Sequence, residues 1–427
     1  MKNLHFLLIW ALSIALSVPL TAQELLPATD IGLTGVNPQR LARIEALCQS
    51  YVDNNELPGM VVLIASRGEI VLHEAYGMAD VQAGKTMEKD AIFRIASQTK
   101  AITATAVMML WEEGKFDLDD PISKYIPEFK DPQVLETFNP ADSSFTGRPA
   151  KREITIRHLL THTSGLGYGI IDGDERFRKM YQKAGVTDLF TTEPVTIGES
   201  VRRLARLPLH HEPGEKFTYS EGLDVLGYLV EILSGMPFDR FLQERLFEPL
   251  GMEDTYFYLP ASKANRLVAI QTQKDGKWVP YPDTFYDTDY PTTGARSFFS
   301  GGAGLSSTAL DYARFLQMYL NGGQLNGTQI LSPSTIRTIM DNSFDNVWDA
   351  NSATHYGLAF QVTNQNAIAL GGLGSEGTFS WGGYFNTQYF ADPVEQVIGI
   401  IMKQTRGIPA EPSGNLFKRL VFSALSW

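Results

Sequence analysis

Apolar and polar positions fall into three regimes along the chain. Leu41, Ile44, Leu47 and Cys48 repeat at the three-and-four spacing of an amphipathic helix, so residues 38–54 are predicted helical. Asn37-Pro38 supplies its start, with Asn as cap and Pro in the first turn. Met60–Ser66 and Ile70–Tyr76 are apolar runs of strand length around the short turn Arg67-Gly68-Glu69, a predicted hairpin. Ser97 to Glu113 then reads as a helix closed by Gly114. From about 120 to 350 the pattern breaks into loops punctuated by Gly, Pro and Asp. Helical stretches stand out there at Ile156–Leu160, Leu223–Ser234, Phe238–Phe247 and Leu310–Leu320. Strand patterning returns at Tyr356–Val362, Thr378–Ala391 and Gln396–Met402, and an amphipathic helix covers about Asn415 to Leu425. Strands at both ends and helices between them predict one sheet assembled from both termini, with an all-helical insertion. No internal repeat or low-complexity tract interrupts this plan.

Composition narrows the class. A chain of 427 residues with 44% hydrophobic content can bury a large core, and it is too long for one simple compact core. Charged residues are 20% of the chain and are spread along it, which excludes a disordered class. The formal net charge of −12 disfavours nucleic acid and anionic membrane surfaces as partners.

Residues 1–22 read as a secretory signal. Lys2 gives the positive start, Leu4 to Leu20 an apolar core, and Thr21-Ala22 a small-residue exit before Gln23. The alternative is an uncleaved N-terminal anchor, because the apolar stretch almost reaches spanning length. With cleavage, the expectation is an exported protein, periplasmic or secreted, with no stable membrane insertion. No Cys lies near the exit, so a lipid-modified cysteine there is excluded. Cys48 is the single cysteine, so no internal disulfide forms. Its helical setting, far in sequence from any His or cationic cluster, predicts a buried inert thiol.

Three stretches carry candidate chemistry. In Phe93-Arg94-Ile95-Ala96-Ser97-Gln98-Thr99-Lys100, Ser97 and Lys100 are three apart at a helix start and share one face. An amine beside a hydroxyl can take its proton, and the helix N-terminus favours a developing oxyanion. An ordinary N-cap with a surface lysine is the plainer account. The Ala- and Met-rich helix that follows argues for burial, and a buried Lys needs a partner or a job. In Pro213-Gly214-Glu215-Lys216-Phe217-Thr218-Tyr219-Ser220-Glu221, Tyr219 is a candidate general base, or a packed aromatic at a loop-to-helix junction. In Gly377-Thr378-Phe379-Ser380-Trp381-Gly382-Gly383-Tyr384-Phe385, paired glycines in a strand-like run admit a ligand or another backbone, or mark a bulge.

Taken together, Ser-x-x-Lys, Tyr-Ser-x about 120 residues later and a Trp-Gly-Gly strand near the C-terminus resemble the class C β-lactamase-like, penicillin-recognising serine hydrolases. The carboxylesterases of that family are the nearest match. Ile154-Thr155-Ile156-Arg157-His158-Leu159-Leu160-Thr161-His162-Thr163-Ser164-Gly165-Leu166, Asp224-Val225-Leu226-Gly227 and Gly301-Gly302-Ala303-Gly304-Leu305-Ser306-Ser307 match the family's running sequence as well. The resemblance spans roughly residues 40 to 425. It implies an α/β lobe with a mainly antiparallel sheet flanked by helices (38–118 and 355–427), a helical lobe (119–354), and a cleft between them. It implies Ser97 as nucleophile, Lys100 as its activating partner and Tyr219 as the base that also protonates the leaving group. The backbone N–H groups of Ser97 and Tyr384 would form the oxyanion hole, and Glu221, Trp381, Gly382 and Gly383 would line the substrate. No cofactor and no metal are implied.

Two departures bear on substrate. The Tyr-x-Asn motif reads Tyr219-Ser220-Glu221, replacing an amide by a carboxylate that would favour a charged Lys100 and pass the base role to Tyr219. The Lys-Thr-Gly strand motif reads Trp381-Gly382-Gly383, replacing the cation that grips a β-lactam carboxylate by an indole. The expected partner is a small ester or amide, with a carboxylesterase first. A D-amino-acid peptidase or amidase, a weak β-lactamase and a non-catalytic penicillin-binding-like protein are the alternatives. His158 and His162 are four apart, as metal ligands can be, but no third ligand is evident and both read as structural. His210-His211 reads as loop. The chain has no Gly-x-Ser-x-Gly elbow.

Overall fold

The computed structural model describes residues 24–282, 286–344, 353–369 and 374–426. The export signal read from residues 1–22 lies outside the described residues. Among the described residues no helix is long and apolar enough to cross a membrane.

Strands from both ends of the chain form one sheet, in the order Leu26–Pro27, Glu69–Asp80, Gly59–Ser66, Val397–Met402, Gln388–Asp392, Phe379–Gly382, Gln361–Thr363, Thr354–Tyr356. Every adjacent pair in this order is antiparallel except Leu26–Pro27 against Glu69-Ile70. The junction between the two ends is Gly59–Ser66 on Val397–Met402, with Val61 opposite Met402 and Val397 opposite Ser66. Side chains alternate across the sheet with period two. Val61, Leu63 and Ala65 therefore join the large core, while Met60, Val62 and Ile64 join a smaller one. The smaller core is capped by the terminal helices Pro38–Asp53 and Ser413–Ala424. Asn37 caps the first of these through the N–H groups of Gln39 and Arg40. Cys48 is buried in it, and burial pushes the thiol up to about 12.

The other face of the sheet carries the helix Ala309–Leu320, which packs against Gly59–Ser66 and Val397–Met402. Behind it in the same core lies the helix Thr99–Glu112, whose residues from Thr99 to Leu110 are all buried. A helix apolar nearly all round belongs inside a domain. Gly222–Ser234 packs beside it with Leu223, Val225, Leu226, Leu229 and Val230 in the same core.

Three expectations change. The middle is not all helical: two-stranded hairpins occur at Gln133–Asn139 with Ser144–Pro149, Gln271–Lys274 with Lys277–Pro280, and Gln324–Leu325 with Thr328–Gln329. Tyr356–Val362 is not one strand, because the chain turns at Gly357 to Phe360 with Ala359 at φ 65°. Thr378–Ala391 is two strands, Phe379–Gly382 and Gln388–Asp392, folded back through a turn closed by Gly383 N–H donating to Thr387 O at 2.8 Å.

Candidate active site

Ser97 lies in a single 3-10 turn, Ala96–Gln98, that leads into the helix Thr99–Glu112. The chain enters this turn through Ala96 at φ 43°, a left-handed conformation costly for a residue with a Cβ. The surroundings hold it there. Ile95 N–H donates to Leu305 O at 3.0 Å, Leu305 N–H to Thr99 Oγ1 at 3.2 Å, and Tyr312 Oη–H to Gln98 O at 3.0 Å. Strand pairing of Phe93-Arg94 with Ser306-Ser307 completes the clamp.

Lys100, one turn on, is 1% exposed. Its Nζ is 3.4 Å from Ser97 Oγ and donates to Gly302 O at 2.7 Å. Two aromatic faces flank it, with centroids 4.5 Å away for Tyr219 and 5.4 Å for Tyr168. Tyr219, about 120 residues further along the chain, thus meets Ser97 and Lys100 at one side-chain nitrogen.

Tyr219 is fixed from behind by His162. That imidazole is stacked at a tilt on Tyr219 with centroids 4.6 Å apart, and its Nδ1 accepts from Ser220 N–H at 3.2 Å. Burial, and then the Lys100 charge, hold His162 well below the usual imidazole range, so the ring is neutral. His158 instead completes a capping box with Thr155 at the start of Ile156–Leu160. The two histidines thus have separate local partners. Among the described residues no group of three acidic, His or Cys side chains is placed to hold a metal ion.

The C-terminal strand approaches from the other side. A Cβ on Gly383 would sit 2.5 Å from Ile95 O and 2.3 Å from Thr387 Oγ1. Only glycine lets this turn pack on Ile95, two residues before Ser97. Trp381 is half-buried, its ring 6.0 Å from Tyr219 and 5.6 Å from Tyr356. Gly382 lies between these on the same strand.

Glu221, read as lining the substrate, lies elsewhere. Its carboxyl is 3% exposed and interacts with Asp188 and Asp224 in a buried acidic group beneath Lys100. Burial, then Asp188 and Asp224, drive it well above the usual carboxyl range. Burial likewise raises Asp224, and raises Asp188 to about 7. Buried in this position, Glu221 does not face the cleft.

Asp224 and Gly302 are site residues to which the sequence reading gave no role. Asp224 Oδ1 accepts from Ser300 Oγ at 2.6 Å and from Gly302 N–H at 3.2 Å, while Gly302 O receives Lys100. A Cβ on Gly302 would lie 2.5 Å from Asp224 Oδ2, so this peptide can approach only as glycine. The available signal was an aspartate amid the apolar start of a helix, Leu223 to Leu226, since a buried carboxyl needs partners.

A serine beside a lysine at the start of a buried helix, a tyrosine from the helical middle and a strand from the C-terminal half of one antiparallel sheet are the arrangement of a serine hydrolase of the β-lactamase and penicillin-binding-protein fold. The Beta-lactamase family model matches residues 44–421, and the chain belongs to that family. A protein of Mycobacterium tuberculosis is 35% identical over 374 residues, covering 84% of this chain and 89% of its own length. Esterase EstB of Burkholderia gladioli is 32% identical over 365 residues, covering 82% and 87%. Among solved structures, EstCE1, a hydrolase with promiscuous acyltransferase activity, superposes with a TM-score of 0.77 at 26% identity, covering 90% of this chain and 99% of EstCE1.

Proposed function

We propose that this chain is an exported carboxylesterase on small esters that works through an acyl-enzyme on Ser97. The observation that carries the reading is Lys100 Nζ at 3.4 Å from Ser97 Oγ with the Tyr219 ring against the same ammonium. The Lys100–Tyr219 pair enters the step one proton short of an ammonium plus a phenol, as ammonium with phenolate or amine with phenol. Ser97 Oγ attacks the ester carbonyl and its proton fills that vacancy. Negative charge on the carbonyl oxygen is received by the backbone N–H groups of Ser97 and Tyr384. Tyr219 returns the proton to the departing alkoxide, and water, activated by the same pair, releases the acid. The likeness to EstB supports ester over amide. So does Trp381, which offers an apolar surface where the β-lactamases hold a cation.

The test is a panel of p-nitrophenyl butyrate, a D-alanyl-D-alanine peptide and a chromogenic cephalosporin, compared by kcat/KM. The ester is expected to lead. A peptide or cephalosporin value equal to or above it would replace this reading with the peptidase or lactamase alternative.

A further inference from the structure

We propose that Arg406 pairs with a carboxylate on the substrate, so that the esters this cleft prefers are anionic. The inference rests on the esterase reading and names its substrate class.

Arg406 Cζ lies over the Tyr384 ring, 3.7 Å from its centroid, and Tyr384 follows the glycine that packs on Ile95 O and itself packs against the cluster containing Ala96. The backbone under it is fixed: Thr405 N–H donates to Phe385 O and Arg406 N–H to Gln271 O, each at 3.1 Å. A guanidinium held over an aromatic face loses little further freedom when it takes a carboxylate in its fork. Tyr384 continues into an aromatic wall shared with Tyr286, Phe385, Tyr168 and Tyr219 around Ala96, the residue before the nucleophile.

The remaining charges near this wall are already engaged. Arg94 is buried and donates to Val268 O at 2.8 Å, with Asp289 at 3.7 Å. Glu411 shares with Arg406, Tyr384 and Gly383 a cavity of about 430 Å³, but it is taken by Lys403 and by Ser413 N–H. Among the described residues Arg406 has no carboxylate partner within ion-pair distance. With Glu221 buried, the available charge on this side of the cleft is positive, in a chain of net charge −12. A half-buried cation held by stacking alone gains most from an incoming anion.

Two ester pairs test this. 3-(Butyryloxy)benzoate against phenyl butyrate places the carboxylate on the leaving group. p-Nitrophenyl hemiglutarate against p-nitrophenyl butyrate places it on the acyl side. The wild-type enzyme is expected to favour the anionic member of at least one pair by tenfold or more in kcat/KM, less so at high salt. Arg406→Gln should reduce that ratio to near one, mainly through KM, and Arg406→Lys should keep part of it. The pair that responds says which side of the ester carries the anion. An unchanged ratio in Arg406→Gln, or equal loss on both members of a pair, makes Arg406 a packing residue and overturns the proposal. A wild-type enzyme with no anionic preference overturns it directly. Failure to cleave any of the four esters would instead refute the esterase reading beneath it.

Discussion

Lys100 is held by the carbonyl of Gly302, and the N–H of the same glycine is held by a carboxyl. Asp224 fastens Ser300 and Gly302, and Gly302 O fixes the ammonium 3.4 Å from Ser97 Oγ. Asp224→Ala leaves a hydroxyl and an N–H unpaired in a buried site, which should cost about 1–3 kcal/mol in urea denaturation and lower kcat. Asp224→Asn retains an acceptor and should recover most of the stability. Equal stability of Asp224→Ala and wild type would show that the loop does not depend on this contact. Tyr219→Phe removes a hydroxyl and keeps the ring that packs on Lys100 and His162. It should reduce kcat by about two to four orders of magnitude with a smaller change in KM. Near-normal kcat would return the base role to Lys100 alone. Ser97, Lys100 and Tyr219 were legible in the sequence because motif order and helical spacing are local properties. Asp224, Asp188 and the burial of Glu221 were not, because they depend on which loops cross beneath Lys100.

At the scale of elements, the proposed esterase activity places the choice of substrate on the strand Phe379–Gly382. Periodicity read it as part of one run to Ala391, since Phe379, Trp381, Phe385, Tyr389 and Ala391 are all apolar. The fold-back is set by the glycine pair and by Asn386 at φ 75°, and alternation alone does not report a turn placed by close packing on Ile95. The terminal helices and the hairpin Gly59–Ser66 with Glu69–Asp80 were legible to within a few residues, because amphipathic spacing and an Arg-Gly turn are strong local signals. On the folded strand Trp381 faces Tyr219 and Tyr356. A cephalosporin fixes its carboxylate relative to the scissile bond, and against the indole that group loses water without gaining a partner. A flexible ester can turn its substituents elsewhere. Trp381→Lys should therefore raise the cephalosporin-to-butyrate ratio of kcat/KM. A ratio that stays flat or falls would show that the strand does not set this choice.

For the molecule as a whole, the buried acidic group links stability to pH. Asp188 is raised to about 7 by burial, so between its ordinary value near 3.8 and about 7 the folded protein holds a proton that the unfolded chain has lost. Stability contributed at this site is full at low pH and declines as pH rises through that window. Asp188→Asn removes the Asp188 share of the dependence and keeps an acceptor for Ile170 N–H, which Asp188 Oδ2 receives at 2.7 Å. The variant's Tm should match wild type at pH 4 and exceed it by a few degrees at pH 8. A difference independent of pH would assign the effect to packing instead. All of this serves one claim, that the sheet from both termini and the helical middle meet to make Ser97 a nucleophile. The most direct measurement is intact mass and peptide mapping after treatment with a fluorophosphonate. The account predicts a single adduct, located on Ser97, and none in a folded Ser97→Ala protein. An adduct on another residue, or an unlabelled wild-type enzyme that still cleaves p-nitrophenyl butyrate, would contradict it.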